Sequence, residues 1–340
     1  MKALVKLSHA PEDAELRQVE EPRAGEGEVV VKLHAAGVCG TDLKLYKGLY
    51  HSYKTPLILG HELCGTIAES TVPELRPGMR VVSRTIVESC GKCRACLAGR
   101  ESLCPAKKRI GFDVDGAFAE YIKLAAHQIH VLPDGVSLDL AVLTEPLTVV
   151  VHALKPISIH PSERVLIIGP GPIGLLALLI CKANGAAVAV VGRRQDAKRL
   201  ELARTMGADQ TLFSEDERVM EDIRAFSGGQ GPDVVLECSG SAAGVTMGLR
   251  AVRPAGTYVQ IGTSSREVTA DFMQIAYKEI RVYGSIGHNR RDWDDSLRLL
   301  ASGLLDLRPF LGNDYALEEW KAALDASLSG EVLKAVFKFS

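Results

Sequence analysis

Short runs of alternating or clustered apolar residues recur through the first 150 positions, and most are closed by Gly or Pro. Period-two alternation over four to eight residues, bounded by such breakers, predicts strands. The runs fall at 1–7, 28–36, 63–69, 80–85 and 117–123, with turn signals at Pro77-Gly78 and Asp134-Gly135 between them. Together they describe a small, β-rich barrel with loops. After about position 150 the pattern changes. An uninterrupted apolar strand at 164–168 is followed by a helical stretch at 173–184, a second strand at 187–191 and a charged helix at 195–206. Further strands fall at 233–238 and 257–261. Strands without alternation that take turns with helices predict a parallel sheet covered on both faces, a doubly wound α/β fold. Helical periodicity returns at 293–302 and 317–328, and 335–339 has the character of a last strand, so the tail is expected to pack back on the first domain.

A chain of 340 residues is long for a single core, which agrees with two domains. Hydrophobic residues at 46% and charged residues at 24% are ordinary for globular proteins. A net charge of −2 supplies no global attraction for nucleic acid or an anionic membrane. No run of about 18 apolar residues is free of charge, so no membrane span is expected. The opening MKALVKLSHAPEDAE lacks the apolar centre of a secretory signal, and a cytoplasmic location is expected. There, eight cysteines read as metal thiolates or buried thiols before disulfides.

Two motifs carry chemistry by their spacing. Gly169-Pro170-Gly171-Pro172-Ile173-Gly174 follows a predicted strand and opens a predicted helix, the context in which G-x-G-x-x-G binds a dinucleotide. Gly169 makes the turn, Gly171 lets a pyrophosphate approach the backbone, and Gly174 lets helix and strand pack. Pro172 and Ile173 begin the helix, whose free N–H groups face the phosphates. At the end of the second strand, where an acidic residue would favour NAD, stand Gly192, Arg193 and Arg194. Guanidinium groups suit a 2′-phosphate, so NADP is expected before NAD, against the alternative of a solvated helix start. Cys90, Cys93, Cys96 and Cys104 form the second motif. Four thiolates within 15 residues close a tetrahedral zinc site with no open position, which makes it structural. The neighbouring Lys107, Lys108 and Arg109 do not amount to a nucleic-acid-binding face. Three scattered features remain: Cys39-Gly40-Thr41-Asp42, Gly60-His61-Glu62 and Glu145-Pro146. A Cys, a His and one or two carboxylates could share a metal with a position open to substrate, although each also has a bland reading as buried Cys, core His or surface Glu.

The order GVCGTD, GHE, four-cysteine lobe, DGAFAEY, EPL, GPGPIG resembles the zinc-containing medium-chain dehydrogenase/reductase family over essentially the whole chain, with most likeness to its sorbitol (polyol) and threonine dehydrogenase branch. The resemblance implies a GroES-like catalytic domain over 1–150 carrying a structural zinc lobe at about 88–106. It implies a Rossmann domain over 151–286 and a segment, 287–340, that returns to the catalytic domain. It implies two zinc ions per chain. Cys39 and His61 match ligands of the catalytic one, with Glu62 ligating or backing it. Glu145 falls where many alcohol dehydrogenases carry a second Cys; no Cys lies between 104 and 181 here, so Glu145 would bind the catalytic zinc directly or through its water. Asp42 would orient His61, and Thr41 would hydrogen-bond the substrate oxygen. The implied reaction exchanges hydride between NAD(P) and a secondary alcohol of a polyol, sugar or cyclitol, at a cleft between the domains. Zinc assists by acidifying the hydroxyl, as it lowers bound water from about 15.7 to about 7. Threonine-type and amino-cyclitol dehydrogenases are alternatives within the same chemistry, and a non-catalytic zinc- and nucleotide-binding protein is the alternative outside it. One departure stands out: relatives carry a His where this chain has Lys44, so proton exit would use Thr41, the ribose and water, or His51. Tyr46, His51 and Phe112 are candidates for the substrate wall, and Cys64, Cys181 and Cys238 for buried apolar positions. The family forms homodimers and homotetramers, so a homo-oligomer is expected.

Overall fold

The computed structural model describes residues 1–50 and 53–339. The chain forms two compact units: Met1–Thr148 with His288–Gly303 and Phe310–Ser340, and Val149–Gly287 with Leu304–Pro309.

The first unit is built on strand Glu28–Gly37, ten residues whose apolar side chains are almost wholly buried. Glu62–Ser70 and Tyr121–Ala125 pair with it antiparallel, as does Val336–Lys338 from the end of the chain. Arg80–Ser83 and Ile129–Val131 extend the sheet on one side and Asp314–Tyr315 on the other. The register sets Gly37 opposite Glu62 on one flank and opposite Val336 on the other. Three distant segments therefore meet at the end of the strand that leads into Cys39. The core beneath them includes Leu33, Leu59, Phe118, Trp320 and Phe337. Phe118 and Phe337 meet edge to face with centroids 4.9 Å apart.

The second unit is a six-stranded parallel sheet in the order Gln210–Phe213, Ala187–Gly192, Arg164–Ile168, Val234–Glu237, Thr257–Gln260, Arg281–Gly284. Val165, Leu166, Ile167, Val188, Ala189 and Val190 are fully buried, which is why these strands read as unbroken apolar runs. Helix Pro172–Ala183 is buried over Gly174–Leu179 and packs against strands Arg164–Ile168 and Ala187–Gly192. Among the described residues, no helix is long and apolar enough to cross a membrane.

The run expected at 117–123 starts later, at Tyr121–Ala125. Ala117 and Phe118 instead bond to Gly60 and Leu59, and Leu4 donates to the Phe118 carbonyl. The strands Gln210–Phe213 and Arg281–Gly284 lie at the sheet edges, half-exposed or exposed, and had no apolar run to announce them.

Candidate metal and cofactor sites

Cys39 caps the short helix Gly40–Tyr46, its thiol accepting from the Thr41 N–H at 3.5 Å. The Thr41 hydroxyl lies 3.7 Å from the same sulfur. Asp42, fully buried, closes the turn by accepting from the Cys39 N–H at 2.9 Å through Oδ2. Its other oxygen lies 3.1 Å from His61 Nδ1. That contact fixes the imidazole and would leave Nε2 to coordinate a metal, the arrangement common to metal-binding histidines. Burial works against charge on His61, yet Asp42 and Cys39 beside it raise its pKa well above the ordinary value. Cys39, His61 and Glu62 offer ligand atoms that all lie within 4.8 Å of one another. A thiolate, an imidazole and a carboxylate converging at this separation fit a divalent zinc with a position to spare.

Glu62 is nearly fully buried and ion-paired with Lys334, itself 2% exposed. Lys334 also donates to the Val38 carbonyl at 3.0 Å. Burial opposes the Lys334 charge, but Glu62 and Cys39 hold its pKa above the usual lysine value. The two side chains meet over Gly37, where a β-carbon would stand 2.2 Å from Glu62 Oε2 and 2.9 Å from Lys334 Cε. Glu145 sits in the first turn of helix Thr144–Leu154 and lies outside the three-ligand set. Its Oε1 is 3.2 Å from His288 Nε2. Burial pushes the Glu145 carboxyl up, and the His288 hydrogen bond together with the nearby His288, His61 and Lys334 outweighs this, leaving it below the usual range.

Around this set, Phe112 lies against His61 with ring centroids 5.4 Å apart, and the Arg109 guanidinium covers Phe112 at 4.3 Å. Tyr46 points into the core instead of the site, edge-on to Trp320 at 5.9 Å. Lys44 is half-buried, and that burial lowers its pKa, with Cys39 opposing. His51 lies outside the described residues. Sequence reasoning missed Lys334, Gly37, His288 and Trp293. Only Trp293, one of two tryptophans in the chain, offered any signal.

The four-cysteine lobe hangs from the strand pair Ile86–Glu88 and Lys108–Arg109. Sγ of Cys96 lies 3.9 Å from that of Cys90 and 3.4 Å from that of Cys93. A tetrahedral zinc with bonds of about 2.3 Å sets its sulfurs about 3.8 Å apart. The N–H groups of Cys93, Cys96 and Cys90 point at the sulfurs of Cys90, Cys93 and Cys104, respectively, at 3.3–3.4 Å. Such bonds favour thiolates: N–H groups of Lys92 and Cys93 lower the Cys90 pKa to about 6. Cys64 and Cys181, by contrast, are pushed up to about 12 by burial, and burial likewise raises Cys238 well above the usual thiol value.

In the second unit, Gly169 turns with φ +102° between strand Arg164–Ile168 and helix Pro172–Ala183. A β-carbon on Gly174 would lie 2.0 Å from the Gly169 carbonyl, whereas one on Gly171 would meet no protein atom within 4 Å. The protein's own packing therefore explains glycine at 174, whereas at 171 the space beside the helix start is left open. Gly171 caps the helix and Pro172 takes its first position, where a missing N–H costs nothing. Gly192 ends the second strand with a β-carbon position only 2.8 Å from Pro170. Arg193 and Arg194 follow, their side chains 61% and 66% exposed. Arg193 pairs with Asp196 at 3.4 Å and Arg194 with Asp216 at 2.6 Å, while Glu215 accepts from the Arg194 N–H at 3.1 Å. Exposed pairs of this kind contribute little and are readily exchanged.

Residues 25–134 match the family model described as alcohol dehydrogenase GroES-like domain, and residues 172–302 match the one described as zinc-binding dehydrogenase. The chain is 36% identical to sorbitol dehydrogenase of Halalkalibacterium halodurans, covering 99% of this chain and 98% of that one. It is 34% identical to D-arabitol-phosphate dehydrogenase of Enterococcus avium, covering 99% and 97%. A solved zinc-binding dehydrogenase of Sinorhizobium meliloti, bound to NADP, superposes with a TM-score of 0.92 at 30% identity over 99% of each chain. The chain belongs to the zinc-containing medium-chain dehydrogenase/reductase family, in the branch that resembles polyol and threonine dehydrogenases. It is accordingly a zinc-dependent, NAD(P)-dependent alcohol oxidoreductase.

Proposed function

We propose that the enzyme oxidises a secondary alcohol of a polyol, sugar or cyclitol to the ketone, at the site made by Cys39, His61, Glu62 and Glu145. The convergence of the first three carries the reading. When bound there, zinc supplies a Lewis acid that makes a substrate hydroxyl acidic near neutral pH. The chain's own residues do the rest. Asp42 holds His61 in one orientation. Lys334 neutralises Glu62 where water is excluded. The Thr41 hydroxyl, beside the Cys39 sulfur, is the group within reach of a substrate oxygen and accepts its proton in a hydrogen bond. Phe112 forms an apolar wall against His61. Cys90, Cys93, Cys96 and Cys104 hold a second, structural zinc, for two per chain.

NADP is the preferred carrier in this reading. Gly169, Gly171, Pro172, Ile173 and Gly174 receive the pyrophosphate, and Arg193 and Arg194, after Gly192, take the 2′-phosphate in place of an acidic residue. The NADP-bound relative supports the preference.

The functional test is initial rates over a panel of polyols, polyol phosphates, cyclitols and threonine with each cofactor, with and without a chelator. Chelator-sensitive NADP reduction with a polyol or cyclitol is expected. Turnover confined to threonine, or unaffected by removal of all metal, would overturn the assignment.

A homo-oligomer is also part of the reading. Arg281–Gly284 is an edge strand, and Phe272, Tyr277 and Ile286 nearby are 58%, 81% and 50% exposed. An unblunted edge with exposed apolar neighbours suits pairing with a second copy, and light scattering should return a multiple of 36.6 kDa. Two candidate metal sites that both use cysteine suit a reducing compartment such as the cytoplasm.

A further inference from the structure

His288 is 2% exposed and bonded on both ring nitrogens. Trp293 Nε1 lies 2.9 Å from Nδ1. An indole N–H can only donate, so Nδ1 must present a lone pair, and the ring's proton resides on Nε2. Nε2 faces Glu145 Oε1 at 3.2 Å, with the Thr85 hydroxyl 3.4 Å away. Trp293 cannot turn from this task. It is 1% exposed, stacked on His130 at 5.5 Å with planes 16° apart, and perpendicular to His288 at 5.1 Å. The next residue, Asn289, caps helix Arg290–Ala301, its N–H bonding Asp292 at 2.7 Å and its side chain accepting from Ser102 at 3.3 Å. Tryptophan, helix cap and Ser102 thus fix the direction of one N–H, and that N–H points at the Glu145 carboxylate.

We propose that His288, keyed by Trp293, is a positioning residue that sets the place and orientation of Glu145 at the catalytic metal site. The proposal rests on the reading of Glu145 as part of that site. Glu62 and Glu145 then have separate tethers. Glu62 is held by the cation of Lys334 and Glu145 by a neutral-type N–H donor, which releases its partner at lower cost than an ion pair does. Glu145 is accordingly the carboxylate free to exchange between its tether and the metal, and His288 sets the balance.

The test uses full-length protein loaded with cobalt(II) at the catalytic position and zinc in the lobe. The readouts are the visible cobalt spectrum and chelator competition for the catalytic metal. His288→Phe should shift the spectrum and change catalytic-metal affinity about 10- to 100-fold, the usual effect of losing an outer partner, while the lobe's zinc is unmoved. His288→Gln, which keeps an N–H donor, should restore most of the wild-type signal. Trp293→Phe preserves the ring packing but removes the keying N–H, and should shift the spectrum in the same direction. In the Glu145→Ala background His288→Phe should add nothing, because the two act as a unit. A wild-type spectrum and affinity in His288→Phe, equal damage from Phe and Gln, or additivity with Glu145→Ala would overturn the proposal. If Glu145→Ala alone leaves spectrum and affinity unchanged, the site reading fails first and takes the proposal with it. If His288→Phe does not fold, Trp293→Phe and His288→Gln decide the matter by the same two readouts.

Discussion

The ammonium of Lys334 and the carboxylate of Glu62 meet in the volume that a β-carbon on residue 37 would occupy. Both charges are buried; Glu62 lies directly opposite Gly37 on one flank, and Lys334 stands two residues before Val336, the partner of Gly37 on the other. Breaking one partner of such a pair strands the other charge at a cost of about 3–5 kcal/mol. Lys334→Met should therefore lower stability by that order in denaturant unfolding, and Lys334→Met with Glu62→Gln should recover much of it. Gly37→Ala should displace the carboxylate from Lys334 and cost roughly 1–3 kcal/mol. An unchanged unfolding midpoint in both single variants would show that the pair does not hold the site.

Cys39→Ser removes one of the three converging ligands while leaving the second unit untouched. Turnover should fall by more than the roughly 10- to 100-fold expected for an outer partner. NADP affinity, read by cofactor fluorescence, should stay within about twofold of wild type.

In the lobe, Cys104→Ser should reduce tightly bound metal from two equivalents to one and expose its loop to protease, since a four-thiolate site folds with its ion. After chelation, the freed lobe cysteines should react with iodoacetamide, whereas they are protected in the metal-loaded protein. Cys64 and Cys181, pushed to about 12, should remain unlabelled in folded protein up to about pH 9. Labelling sites are read by peptide mass spectrometry.

His130 supplies a pH dependence of stability. Burial pushes its pKa down to about 4, with Asp294 opposing and Arg84 and Arg290 assisting. The unfolded chain takes up this proton near 6.5 and the native protein only near 4, so stability is complete above about 6.5 and declines as pH falls toward 4. The decline assigned to His130 is roughly 2–3 kcal/mol. His130→Phe keeps a ring against Trp293 and should flatten the stability profile across that window, as measured by denaturant unfolding at a series of pH values.

Replacing Arg193 and Arg194 together by Ala should weaken NADP binding about ten- to a hundredfold, the worth of one or two charge-assisted hydrogen bonds, and leave NAD within about twofold. Equal weakening of both cofactors would mean that these side chains do not read the 2′-phosphate.

What could be read along the chain depended on how each residue is buried. Leu166, Ile167, Val188, Val190 and Val235 are covered on both faces, so their strands had to be apolar without interruption and were visible at once. The edge strands Gln210–Phe213 and Arg281–Gly284 answer to solvent on one side, carry mixed residues and were not found. The four-cysteine lobe was legible because all its ligands lie within 15 residues. Cys39 and His61 became interpretable only in the company of the other motifs. Lys334 could not be anticipated: a lysine in VLKAVFKF looks solvated until a distant strand places Glu62 against it.

Local order along the chain thus announced the glycine turn and the four-cysteine lobe, because their geometry is written in spacings of a few residues, and the change of apolar pattern announced the two-part architecture. The fold alone decided which carboxylate joins the thiol and imidazole, which one is tethered by His288, and that a lysine lies buried against Glu62. Those relationships join residues from opposite ends of the chain, and in water-excluded surroundings a charge is tolerated only where a partner from elsewhere in the sequence has been brought within reach.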